Sequence, residues 1–171
     1  TTRWPNEWYR MGHALAEIFS GFGKMPKTMV QLAAVQFFTW IGLFAMWIYT
    51  TNAIGESVYG TTDAQSAAFQ QAGNHVGVMF AVYSGVAALA AFILPVVARH
   101  TSRKFVHMTC LAIGGVSLIS LFAIQDPTMA FVPMIGVGIA WASILTMPYA
   151  ILAGALPANR MGYYMGVFNF F

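Results

Sequence analysis

Four apolar runs, none of them interrupted by a Lys, Arg, Asp or Glu, constrain this chain more than any other feature. They lie at about 28–50, 74–97, 105–124 and 129–156. About 20 residues of helix cross a bilayer core, so each run is long enough to span. Within hydrocarbon every backbone N–H and C=O must be paired internally, which leaves helices or closed barrels. Barrel strands read as alternating segments of about ten residues, and these runs are continuous. The expectation is an all-α integral membrane fold with four complete transmembrane helices. A last run, 161–171, is too short to cross and reads as the start of a fifth. Composition agrees: 58% of residues are hydrophobic and 8% charged, against about 25% charged in soluble domains.

Residues 1–27 have a different texture. Trp8, Met11, Leu15, Ile18 and Phe22 recur at helical spacing, with Arg10, His13 and Glu17 on the other face. This predicts an amphipathic connector helix, either lying on the membrane surface or packed on the rest. Pro26, between Lys24 and Lys27, closes it. The fourth run carries Pro133 and Pro148, and Pro148 is placed to bend it.

Charge fixes the expected topology. Arg3, Arg10, Lys24 and Lys27 precede the first run, Arg99, Arg103 and Lys104 separate the second and third, and Arg160 follows the fourth. With alternating spans, all eight basic residues fall on one side, whereas Glu56, Asp63 and Asp126 fall on the other. Basic loops stay inside, so 1–27, 98–104 and 157–160 are expected to be cytoplasmic. The basic pI near 9.2 does not indicate nucleic acid, because the basic residues sit in short gaps rather than in one patch.

No ionisable residue is expected inside any of the four spans. That points away from a proton relay in this segment and towards a neutral, hydrogen-bonding, ring-shaped ligand. Gln36, Trp40, Phe44, Trp47 and Thr51 share a face of the first run. Trp offers a flat apolar wall with one N–H, and Gln offers both donors and an acceptor, a pairing that suits a sugar. The same Trp residues also serve as packing or lipid-facing groups, with Trp47 fit for the interfacial belt. Gly77, Ala81 and Gly85 read as a helix-packing stripe, as do Gly162 and Gly166. Tyr83 and Ser84 are expected to face protein or a cavity. Trp141 and Tyr149 are the aromatic candidates of the fourth run. His75 reads as a solvated helix-end imidazole, with a pH-sensitive gate as the alternative. Cys110 reads as a packed small hydrophobe. No phosphate loop, zinc motif, carboxylate pair or nucleophile–base set occurs, so the sequence calls for no catalysis, cofactor or metal.

Two stretches resemble a known family. Gln36-Phe37-Phe38-Thr39-Trp40-Ile41-Gly42-Leu43-Phe44 with Trp47-Ile48-Tyr49-Thr50-Thr51 resembles the seventh helix of the sucrose/maltose, glycoside-pentoside-hexuronide-like branch of the major facilitator superfamily. Met147-Pro148-Tyr149-Ala150-Ile151-Leu152-Ala153-Gly154-Ala155-Leu156-Pro157 and Met161–Phe171 resemble its tenth helix, inner turn and start of the eleventh. The resemblance implies part of a twelve-helix fold, with residues 28–171 a partial C-terminal six-helix bundle. An N-terminal six-helix half would then precede a chain that both opens and closes without a natural terminus. It implies transport of a sucrose- or maltose-like sugar across the inner or plasma membrane by alternating access, with proton symport as the coupling. Gln36, Trp40, Trp47, Asn52, Tyr83, Trp141, Tyr149 and Asn169 are the expected substrate contacts. Pro148 is the expected hinge, and Arg103 with Lys104 the expected gating pair. That pair keeps the close of the family's basic loop signature, but Ser102 replaces its usual Gly and residues 95–102 contain no Asp. At the outer end of the seventh helix Thr50-Thr51-Asn52 stands where plant sucrose carriers of the family have Asp-Thr-Asp, so a coupling carboxylate is expected from the other half. The alternative is a non-transporting scaffold or receptor-like helical module.

Overall fold

The computed structural model describes residues 11–12, 23 and 25–170; the connector helix expected over 1–27 lies largely outside them. The described residues are helical and contain no strand. In chain order they form α1 (Lys27–Ser57), α2 (Ala67–His100), α3 (Arg103–Ser120) with a 3₁₀ turn at Leu121–Ala123, α4 (Phe131–Ala155), a second 3₁₀ turn at Ala158–Arg160, and the short α5 (Met161–Phe168). Four of these helices are long and apolar enough to cross a membrane.

The first two helices outrun the apolar runs that predict them. α1 continues to Ser57 and α2 starts at Ala67. The added turns carry polar residues such as Asn52, Glu56 and Gln70, so the helix outlasts the hydrophobic length. Ser66 sets the start of α2: its Oγ accepts from the Phe69 N–H at 3.1 Å, and Ser102 does the same for Phe105 at the start of α3. A hydroxyl there satisfies one of the unpaired first-turn donors. Before α4, the Asp126 carboxylate accepts from the N–H groups of Thr128 and Met129. Pro133 falls in the first turn of α4, where a missing N–H costs no helical bond. Pro148 falls deep inside, where it leaves the Ile144 carbonyl without its helical donor.

The described residues divide into two compact units. Phe38–Ile151 forms one, and the described parts of Thr1–Phe37 and Leu152–Phe171 form the other. In the larger unit one apolar cluster joins Leu43, Met46 and Ile54 of α1 to Met79 and Tyr83 of α2 and to Met134, Val137 and Ile144 of α4. A second joins Ala87 and Leu94 of α2 to Val106 and Cys110 of α3 and to Ala142 and Met147 of α4. In the smaller unit, Val167 and Phe168 of α5 are buried.

α3 and α4 run antiparallel along a seam with a clear register. The Arg103 guanidinium donates to the Ala150 carbonyl at 2.6 Å, His107 meets Ser143 at 2.9 Å, and Gly114 lies against Ala140. Further out, Gly136 lies against Ser117 and Ile113. A Cβ at Gly114 would collide with the Ala140 methyl, and one at Gly136 with the Ser117 hydroxyl. Gly138 serves the other side of α4: a Cβ there would stand 2.5 Å from the Tyr83 carbonyl and 2.7 Å from the Val86 Cβ of α2.

Close approach therefore belongs to α4, which corrects the expected use of small residues. Gly77, Ala81 and Gly85 lie on the exposed face of α2, and a Cβ at either glycine meets nothing within 4 Å. Gly162 and Gly166 are equally open. Spacing of small residues signals that something can come close, but not which helix will.

Candidate functional site

The larger unit gathers four of the expected substrate contacts. α1 brings Trp40 and Trp47, seven residues apart and so two turns along one face. α2 brings Tyr83, and α4 brings Trp141. The Trp40 and Trp141 rings are 5.9 Å apart with planes at 83°, and Trp47 stands 5.7 Å from Trp141 at 86°. Trp40 and Trp47 are 6.2 Å apart, and Phe44 touches both. Apart from the tilted Trp40–Phe44 pair these are edge-to-face contacts, in which the positive rim of one ring meets the negative face of the next. The Trp47 indole N–H donates to the Tyr83 hydroxyl at 3.1 Å, which ties α1 to α2. Tyr83 is buried, whereas the three indoles are only partly so. The cluster thus presents aromatic surface, a phenol oxygen and indole N–H groups in a setting without charge. Such a surface stacks on the apolar face of a sugar ring and hydrogen-bonds hydroxyls at its rim.

Of the other expected contacts in the larger unit, Asn52 and Tyr149 are not assembled with this cluster, and Gln36 and Asn169 belong to the smaller unit. Gln36 is buried, in the part of α1 that belongs to the smaller unit. Asn52 is exposed on α1. Tyr149 is 39% exposed and lies eight residues beyond Trp141, about 12 Å along the helix axis. Asn169 is exposed at the C-terminal end of α5, where its N–H caps the Met165 and Val167 carbonyls. Pro148 is fully buried, while Arg103 and Lys104 are exposed at the start of α3. Grooves also lie elsewhere. One of about 680 Å³ lies where α3 gives way to α4, lined by Val116, Ser120, Asp126, Met129 and Pro133. One of about 640 Å³ runs between α1 and the end of α3, lined by Tyr49, Thr50, Glu56, Leu118 and Phe122. A smaller one of about 270 Å³ continues it beside Phe38, Leu111 and Gly114.

Several polar side chains of the spans are satisfied locally. Thr50 donates to the Met46 carbonyl, Ser84 to Phe80 and Thr146 to Ala142. This back-bonding onto the preceding turn removes a hydroxyl's demand for any other partner. Ser84 is exposed on α2, contrary to expectation, and its hydroxyl is quenched in this way.

Two histidines overturn the expectation of spans without ionisable groups. His75 is half-buried rather than fully solvated: it is the ninth residue of α2, its ring 4.8 Å from Phe131 and 6.1 Å from Tyr59, with Nε2 buried and unpartnered. His107 lies in the second turn of α3 and is 5% exposed. A lone His near the end of an apolar run reads as interfacial from sequence, and only the neighbouring helix reveals its burial. The signal available was its place four residues past Arg103, one turn inside the run.

Comparison with known proteins is consistent with the uncharged aromatic setting. The chain is 24% identical to the protein described as sucrose transport protein SUT1 from Oryza sativa subsp. japonica, over 85% of this chain and 31% of that protein. The same figures hold for its counterpart from Oryza sativa subsp. indica. The chain spans about a third of the length of these relatives. No family model matches it, and no solved structure matches it. The similarity is distant, and the four long apolar helices mark a multi-pass membrane protein.

Proposed function

We propose that this chain is part of a membrane carrier that moves a neutral, sucrose- or maltose-like sugar by alternating access with proton symport. The observation that carries the reading is the Trp40–Trp47–Trp141 cluster with its Tyr83 hydroxyl, set in the uncharged middle stretches of α1, α2 and α4. The distant likeness to sucrose transport proteins supports it independently. In this reading Trp40, Trp47, Tyr83 and Trp141 contact sugar in the present arrangement, and Gln36, Asn52, Tyr149 and Asn169 contact it in another state of the cycle. Pro148 is the hinge of α4. Arg103 and Lys104 form the gate at the inner turn, and the bond from Arg103 to the Ala150 carbonyl, two residues past the proline, supports that pairing. The exposed stripe of Gly77, Ala81 and Gly85 on α2 faces the substrate path and a second helical half. The basic loops are cytoplasmic, in an inner or plasma membrane.

Uptake of radiolabelled sucrose and maltose into proteoliposomes containing the complete protein tests the reading. Trp141→Ala is expected to lower uptake by about tenfold, a loss of ~1.4 kcal/mol of sugar interaction, with expression retained. Absence of uptake for any glycoside would sink it. A non-transporting scaffold is the second reading. The back-bonded hydroxyls of Thr50, Ser84 and Thr146 favour it, because they demand nothing from a ligand. It predicts that Trp141→Ala costs stability alone.

A further inference from the structure

Along the α3–α4 seam, between the Arg103–Ala150 contact and the glycine contact, His107 meets Ser143. His107 is 5% exposed and Ser143 fully buried, with Nδ1 and Oγ 2.9 Å apart. Cys110, one turn further along α3, is also buried. The second ring nitrogen, Nε2, is buried without a partner. Whichever tautomer the ring adopts, one nitrogen is left unmatched. If Nδ1 accepts from Ser143, Nε2–H is an unused donor; if Nδ1–H donates, Nε2 is an unused lone pair. An unmatched buried polar atom costs about 1–3 kcal/mol. A seam of Gly, Ala and Val would avoid that cost, and ionisable groups inside a span mark sites of function more often than of packing.

We propose that His107 is a proton-binding site built into this seam, with Ser143 as the positioning residue through which protonation reaches α4. The ring nitrogen lone pair takes a proton from water at the inner end of the span, forming an N–H bond and leaving the positive charge on the imidazolium. Both ring nitrogens are then donors. Nδ1–H is held by the Ser143 oxygen, and Nε2–H requires an acceptor. α4 leaves an acceptor open one residue past Ser143: the Ile144 carbonyl, whose helical donor is removed by Pro148. Protonation therefore biases the stretch of α4 between Trp141 and Pro148.

The surroundings set how readily the site fills. α4 faces it with Ser143 and carries no ionisable side chain except Tyr149. α3 itself supplies Arg103 and Lys104 one turn before and Cys110 one turn after. α2, packed beside Val106 and Cys110, carries Arg99 and His100 in its last turn. None of these helices carries a carboxylate. The imidazolium therefore finds no counter-ion on these helices, and the Ile144 carbonyl is the acceptor that α4 can offer its second N–H.

The site extends the carrier reading by placing a proton within this part of the chain, but its titration depends on neither sugar nor transport. Nitrogen-15 NMR of histidine-labelled complete protein in lipid nanodiscs reads it directly. The His107 signals, assigned by their loss in His107→Gln, are expected to pass from one neutral tautomer to the doubly protonated ring between about pH 8 and about pH 4.5. Ser143→Ala is expected to move the midpoint at least about threefold in proton concentration, since its oxygen holds Nδ1–H. A His107 ring that stays neutral throughout, or a midpoint unmoved in Ser143→Ala, overturns the proposal. The wild-type titration stands even if a variant fails to fold, and sugar uptake with a silent His107 would refute the proton site while leaving the carrier reading intact.

Discussion

α4 and α2 are both long apolar helices, yet they stand in opposite surroundings. In its most apolar stretch α4 is 61% buried and α2 only 22%, although α2 is the more hydropathic of the two. In water that ranking would be perverse. In hydrocarbon it follows directly, because lipid tails solvate Leu and Phe as well as a protein interior does, so large apolar residues gain nothing by turning inward. α2 accordingly exposes Leu89, Phe92 and Ile93, while α4 turns Gly136, Gly138, Ala140, Ala142 and Ser143 towards its neighbours. Small size, rather than hydropathy, marks the inside of this bundle.

The contrast breaks most easily at glycine. Gly138→Leu is expected to cost about 3 kcal/mol or more and to deplete folded protein, because even an added Cβ would collide with the Tyr83 carbonyl and Val86, and overpacking is expensive. Gly85→Leu on α2 is expected to stay within about 0.5 kcal/mol. Thermal unfolding in detergent compares them, and a comparable cost at Gly85 in the complete protein would mean that another element covers α2. Next in size, Met134→Ala, at a fully buried position of α4, is expected to cost about 2–4 kcal/mol. Phe92→Ala, at a position 79% exposed, is expected to cost under about 0.5 kcal/mol, and denaturant titration in mixed micelles separates the two. The smallest effect sharpens the contact between α1 and α2: Trp47→Phe keeps the ring but loses the donor to Tyr83, for about 0.5–1.5 kcal/mol in the same titration.

The span count was legible because hydrocarbon length and the absence of charge leave few options. The ends of α1 and α2 were not, because a helix continues past the apolar boundary wherever a cap such as Ser66 lets it, and hydropathy does not register caps. The pairing of Trp40 with Trp47 could be read from spacing along one helix. Their meeting with Trp141, a hundred residues away, depends on how α1 and α4 pack, which no local pattern encodes. The glycines of α2 misled for the same reason, since spacing names a face and not its neighbour. His107 stood in plain view, but its burial is a property of the seam rather than of the residue.

That seam limits how the chain can change in length. Arg103–Ala150, His107–Ser143 and Gly114–Ala140 are held in step along two opposed helices. One extra residue between Arg103 and Gly114 would swing everything beyond it by about 100° and shift it by about 1.5 Å. It would send either the polar pair or the glycine contact into lipid, and no local adjustment would restore both. Insertions and deletions should therefore be tolerated in the stretch 121–130 that joins the two helices, and be nearly absent from the seam itself.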